Sequence, residues 1–74
     1  MHFAEKLFCL SYNGIEHLRR AVRRNPQFSN APVLAAIQRL EDGEGKASDV
    51  ELLRPLAKVA DLPWNELWLA CPHN

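Results

Sequence analysis

Apolar residues return at the three- and four-residue spacing of a helix along most of this 74-residue chain. The clearest case is residues 15–24. Ile15, Leu18, Ala21 and Val22 share one face, and Arg19, Arg20, Arg23 and Arg24 spread over the other. Residues 32–41 place Val33, Leu34, Ala36, Ile37 and Leu40 toward a core and leave Ala35, Gln38 and Arg39, with Asp42 just beyond, for solvent. Ser29 or Asn30 can cap that helix, and Pro32 is tolerated in its first turn. A further helix is expected over residues 48–60, burying Val50, Leu53, Leu56, Ala57 and Ala60, with Ser48 and Glu51 as its capping box. Pro55 lies inside it and removes one backbone hydrogen bond, which predicts a kink near residues 51–54 or two short helices meeting there.

The ends are less regular. Phe3, Leu7 and Leu10 fall on one helical stripe with Phe8 adjacent. A strand over Leu7 to Tyr12 also suits the Phe, Cys and Tyr there, but no partner strand follows, so a helix over residues 3–11 is preferred. Asn13-Gly14 then reads as its C-cap rather than a hairpin turn. Residues 25–30 form a loop by composition, with Phe28 tucked into the core. Asp42-Gly43-Glu44-Gly45 ends the helix before it, because glycine takes the positive φ that stops a helix. Asp61-Leu62-Pro63 ends the next, since the residue before proline avoids helical angles. Trp64 and Trp68 stand one turn apart on a short closing helix. The expectation is an all-α bundle of four to five helices, one domain over residues 1–70 with a short tail at 71–74.

The second half of the chain resembles the λ-repressor-like (Xre-type) helix-turn-helix family. The matching residues are Ile37-Gln38-Arg39-Leu40-Glu41, then Gly43, Ser48, Leu52-Leu53, Leu56-Ala57-Lys58-Val59-Ala60 and Asn65-Glu66-Leu67-Trp68. They cover somewhat under half the chain. In that family the first of these runs ends the recognition helix, a glycine turn follows, and a Ser/Thr-capped helix and a short aromatic helix close the domain. The resemblance implies that Pro32 to Glu41 enters the major groove, with Gln38 facing adenine and Arg39 facing guanine or a phosphate. It further implies flanking phosphate contacts from Ser29, Asn30 and Lys46, and a homodimer.

Composition narrows the alternatives. Hydrophobic residues make up 47% of the chain, which argues for a folded domain. No apolar run approaches the length of a membrane span, and Glu5 and Lys6 interrupt the N-terminus where a secretory leader would be apolar. A cytoplasmic protein is expected, with Cys9 and Cys71 as free thiols. A metal site from His2, Cys9, Cys71 and His73 would lack the second closely spaced ligand pair that zinc sites show. The three glycines form no phosphate loop. His17 reads as a surface residue and Cys9 as a buried thiol, so no catalytic constellation, enzyme activity or cofactor is expected.

Formal charge is zero, nine basic against nine acidic side chains, whereas nucleic-acid binders are usually basic overall. The charges are segregated, however. Arg19, Arg20, Arg23 and Arg24 cluster early, and Glu41, Asp42, Glu44, Asp49 and Glu51 follow. The arginine face is either a solvated surface or an anion-binding one, because the guanidinium fork suits phosphate and carboxylate alike. Two functions follow. The first is a small DNA-binding transcriptional regulator, repressor-like, gripping double-stranded DNA through the arginine helix. The second is a regulator derived from the same fold that binds a protein, as an inhibitor, antirepressor or antitoxin-like partner. The apolar start of the recognition helix (Ala31 to Ala36), the acids after it and the long connection from Arg24 to Pro32 favour the second. Trp64 and Trp68 either cap the core or form a dimer or partner contact.

Overall fold

A computed structural model describes residues 6–70 of the chain. Ser11 opens the first helix. Its backbone is extended and its hydroxyl accepts the Gly14 N–H at 2.9 Å, so α1 runs Tyr12–Arg24. Asn13 and Gly14 therefore lie in the first turn of α1, not at the end of a preceding helix. At the other end Asn25 closes α1 twice, donating its backbone N–H to the Val22 carbonyl and its side-chain amide to the Ala21 carbonyl at 2.8 Å. A 3₁₀ turn, Pro26–Phe28, carries the chain to the second helix.

Helix α2, Ala31–Glu41, is capped by Asn30, whose side chain accepts the Val33 N–H at 3.2 Å. Gly43 ends it at φ 74. The Glu44 N–H reaches the Arg39 carbonyl and the Gly43 N–H the Leu40 carbonyl, which is the paired closure of a Schellman turn. Helix α3, Ala47–Val59, runs as one helix across Pro55. Its end repeats the same closure, from Leu62 to Ala57 and from Asp61 to Lys58, with Asp61 in the left-handed region at φ 53. The chain thus turns at Asp61, two residues before the proline that the sequence pointed to. At the start of α3 the capping acid is Asp49, whose carboxylate accepts the Lys46 N–H at 3.0 Å, and Ser48 sits inside the helix. Asn30→Ala is accordingly expected to cost about 1 kcal/mol. Ser48→Ala is expected to be close to neutral. Thermal unfolding of the two variants checks the assignment of caps, and the reverse order would refute it.

The expected helices at the two ends are not formed among the described residues. A 3₁₀ turn occupies Trp64–Glu66, and a two-stranded antiparallel sheet joins β1, Cys9–Leu10, to β2, Trp68–Leu69. Cys9 faces Leu69 and Leu10 faces Trp68, while Phe8 bridges to Gly45. The strand partner of Leu10 lies almost sixty residues away, beyond the reach of any local pattern. The domain is small and mostly helical, with three α-helices among the described residues rather than four or five. Residues 3–5 of the expected first helix, and the tail at 71–74, lie outside the described residues.

Each α-helix sends a fully buried leucine or isoleucine to one core, Leu18 from α1, Ile37 and Leu40 from α2, and Leu53 and Leu56 from α3, and Leu67 joins them from just before β2. Phe28, Trp64 and Trp68 pack against it, half-buried. Leu34, expected inside, is exposed, because it stands about 100° round the helix from Val33 and off the stripe formed by Val33, Ala36, Ile37 and Leu40. Cys9 is disulfide-bonded, not a free thiol. Leu69 of β2 pairs with Cys9, and the chain's other cysteine, Cys71, lies outside the described residues. The free thiol that a reducing compartment led us to expect at Cys9 is therefore not found. No helix of the described residues is long and apolar enough to cross a membrane.

Candidate nucleic-acid interface

The candidate arginines divide by partner. Arg19 is half-buried and donates from Nε to Glu41 Oε1 at 2.7 Å, tying α1 to the last residue of α2. Its terminal nitrogen also approaches Gln38 Oε1 at 3.4 Å. Arg39 donates from Nε and from a terminal nitrogen to the two oxygens of Asp49, at 3.0 and 2.6 Å. This bidentate fork joins α2 to α3 across the glycine turn. Asp49 is almost fully buried, and Arg39 is about half exposed. The Arg39 fork, reinforced by the Lys46 N–H, holds the Asp49 carboxyl below its ordinary range against the opposing effect of burial.

Arg20, Arg23 and Arg24 differ. All three are exposed and none makes an ion pair or hydrogen bond among the described residues. Their i, i+3, i+4 spacing gathers them on one face of α1. Arg23 and Arg24 occupy its last turn, where a cation complements the helix dipole. Seven residues after Arg24 the exposed first turn of α2 begins, its N–H groups forming the positive end of that helix. Ser29 is exposed at the end of the 3₁₀ turn, next to the capping Asn30. One stretch of chain therefore joins three unpaired guanidinium groups to a helix N-terminus.

At its other end α2 carries Glu41, Asp42 and Glu44, but this end is less acidic than its sequence. Arg19 neutralises Glu41, Arg39 neutralises the nearby Asp49, and Asp42 accepts the Gln38 side chain at 3.2 Å. Gln38 is exposed, and its contacts are long and solvated, so it can exchange them for another partner. Arg39 cannot leave without stranding a buried carboxylate. Lys46 is exposed at the start of α3. Toward solvent the first half of α2 shows Ala31, Pro32, Leu34 and Ala35, an apolar surface.

Trp64 and Trp68 meet edge to face at 5.2 Å, and Phe8 meets Trp68 at 6.3 Å. Sequence reasoning missed three participants in this cluster. Phe8 immediately precedes β1, Arg54 lies over the Trp64 ring at 4.7 Å, and Lys6 lies over Phe8 at 5.5 Å. No local spacing marks them. Asp49 was missed as well, because the sequence pointed to Ser48 and Glu51 as the capping pair two residues further on. His17 is half-buried and borders a shallow depression with Arg20, Arg24 and Asp61. Among the described residues no three potential ligands gather to hold a metal ion.

Comparisons with family models, with curated proteins and with solved structures find nothing that matches this chain.

Proposed function

We propose that this chain is a small, repressor-type DNA-binding regulator of the λ-repressor-like helix-turn-helix kind, acting as a homodimer. The observation that supports this most is the trio Arg20, Arg23 and Arg24. Three exposed arginines with no internal partner lie in the second half of α1, and one 3₁₀ turn carries the chain from them to the helix that would enter the groove. Such a cluster is repulsive in isolation and gains most from a polyanion. In this reading the trio and the first turn of α2 take phosphates, and Gln38 is the base-reading side chain. Arg19 and Arg39 hold the three helices in register instead of reading DNA.

Anisotropy of a labelled duplex titrated with the protein at two salt concentrations tests the reading. Affinity of about 10⁻⁴ to 10⁻⁶ M at low salt is expected, falling steeply as salt rises. Replacing Arg20, Arg23 and Arg24 together with alanine is expected to flatten the logarithmic salt slope by about 2 to 3. Gln38→Ala should instead relax preference among sequences while leaving that slope unchanged. Absence of binding at low salt, or an unchanged slope in the triple variant, overturns the DNA reading.

The apolar face made by Ala31, Pro32, Leu34 and Ala35 favours a second function, a regulator that binds a protein. These positions are where polar side chains would contact base edges, and an exposed apolar helix face suits a partner's groove. Retained partner binding in the triple arginine variant would support this alternative.

A further inference from the structure

The aromatic cluster is not absorbed by either function. Between the sheet and α3 lies a cleft of about 510 Å³. That size falls within the range of small-molecule sites, roughly 300–1,000 Å³. Phe8, Trp64 and Trp68 wall it, and Val50 adds an aliphatic side chain from α3. Lys6 and Arg54 supply its charges, and among the described residues no carboxylate lines it. We propose that this cleft binds a small aromatic anion, an arene carrying a carboxylate or a similar oxyanion.

Each part of the cleft selects one part of that ligand. Trp68 meets both Phe8 and Trp64 edge to face, at interplanar angles near 70°, so faces and edges are both presented to a flat guest. Both cations are held beside rings, Lys6 over Phe8 and Arg54 over Trp64, which places positive charge at the margin of an apolar wall. Arg54 meets Glu51 through Nε, leaving its two terminal amino groups to receive an oxyanion in a forked contact. Glu51 itself does not line the cleft. Among the described lining residues an aromatic cation would meet two like charges and no carboxylate, and a neutral arene would leave the terminal amino groups of Arg54 without an oxyanion. The site is independent of the DNA reading, since it uses none of Arg20, Arg23, Arg24 or Gln38.

The chain's two tryptophans both lie in this cleft, so their indole N–H signals report on it directly. Nitrogen-15-labelled full-length protein titrated with 2-naphthoate should show saturable shifts of both indole resonances. The neutral analogue 2-naphthylmethanol should bind about tenfold more weakly. Arg54→Gln, an exposed position whose loss leaves the core intact, should weaken naphthoate by about the same factor, with Lys6→Gln as a second variant. Lys58→Gln, a cation of α3 outside the cleft, should leave naphthoate binding unchanged. The proposal is overturned by the absence of saturable indole shifts up to on the order of 10 mM naphthoate. Equal affinity for the neutral analogue, or an unchanged affinity in both charge variants, overturns it as well.

Discussion

Gly14→Ala is expected to destabilise the domain by about 2 kcal/mol or more, although alanine is the better helix former. Two effects oppose each other. Within a helix, exchanging glycine for alanine gains about 1 kcal/mol. At this position, however, a Cβ would collide with the Leu67 carbonyl oxygen and stand 2.9 Å from its carbon and 3.0 Å from its Cα. All three are backbone atoms, so no side-chain rotation relieves the clash. The same Leu67 oxygen accepts the Ser11 N–H at 2.8 Å, and the Ser11 hydroxyl donates to the Glu66 carbonyl at 3.1 Å. Moving Leu67 away breaks the contact that holds the closing segment against α1 and unseats a fully buried leucine. Overpacking alone costs about 1–3 kcal/mol or more. A domain of this size has roughly 4–11 kcal/mol in total. Thermal unfolding followed by circular dichroism should show a melting temperature lower by about 10 °C, at roughly 4–8 °C per kcal/mol. Asn13→Ala, at the exposed neighbouring position, should not lower it. A Gly14→Ala variant as stable as the parent would mean that α1 and Leu67 do not approach in this way.

Asp49→Ala is the second large effect, expected at about 2 kcal/mol. The carboxylate satisfies three donors while almost wholly buried: the two Arg39 nitrogens and the Lys46 N–H that opens α3. Its removal uncaps α3 and releases the fork that joins α2 to α3. Asp49→Asn keeps the shape and removes the charge, which isolates the pH dependence. The folded-state pKa of Asp49 is depressed, chiefly by the Arg39 hydrogen bonds. Its contribution is therefore complete above the unfolded value of about 4 and is lost as pH falls through the lower folded value. Denaturant unfolding between pH 6 and pH 2, spanning about two units on either side of that value, should show the parent losing more stability on acidification than the asparagine variant. Parallel curves for the two proteins would show that the Asp49 charge contributes nothing. Because Arg39 serves this pair, its replacement should lower stability, and DNA affinity should be compared only among folded variants.

Much of the helical frame was readable from residue order. The 3.6-residue period located all three helices to within a turn, and Gly43 marked the end of α2 because few other residues accept its φ. Asn30 was legible as a cap for the same local reason. These features depend on neighbours within four residues, which is the range over which a chain pattern carries information. The arginine face was equally plain, since helical spacing alone gathers Arg20, Arg23 and Arg24.

What the sequence could not determine were the partners of its polar and aromatic groups. Four arginines of α1 are alike in sequence, yet tertiary packing brings Glu41 to Arg19 and leaves the other three exposed. In sequence Arg39 is simply an arginine on the polar face of α2, and only the turn between α2 and α3 delivers Asp49 to it. Asn13-Gly14 has the composition of a helix end, but the close passage of Leu67 makes that glycine part of a helix start. Residues 7–12 tolerate either helix or strand. The choice was made by Trp68 and Leu69, because a two-residue strand has no stability until a distant partner fills its hydrogen bonds. The sequence by itself determined where this chain turns helical and where its charges lie along it. The tertiary structure decided which charges are neutralised and which rings converge, because those outcomes depend on contacts between residues far apart in the chain.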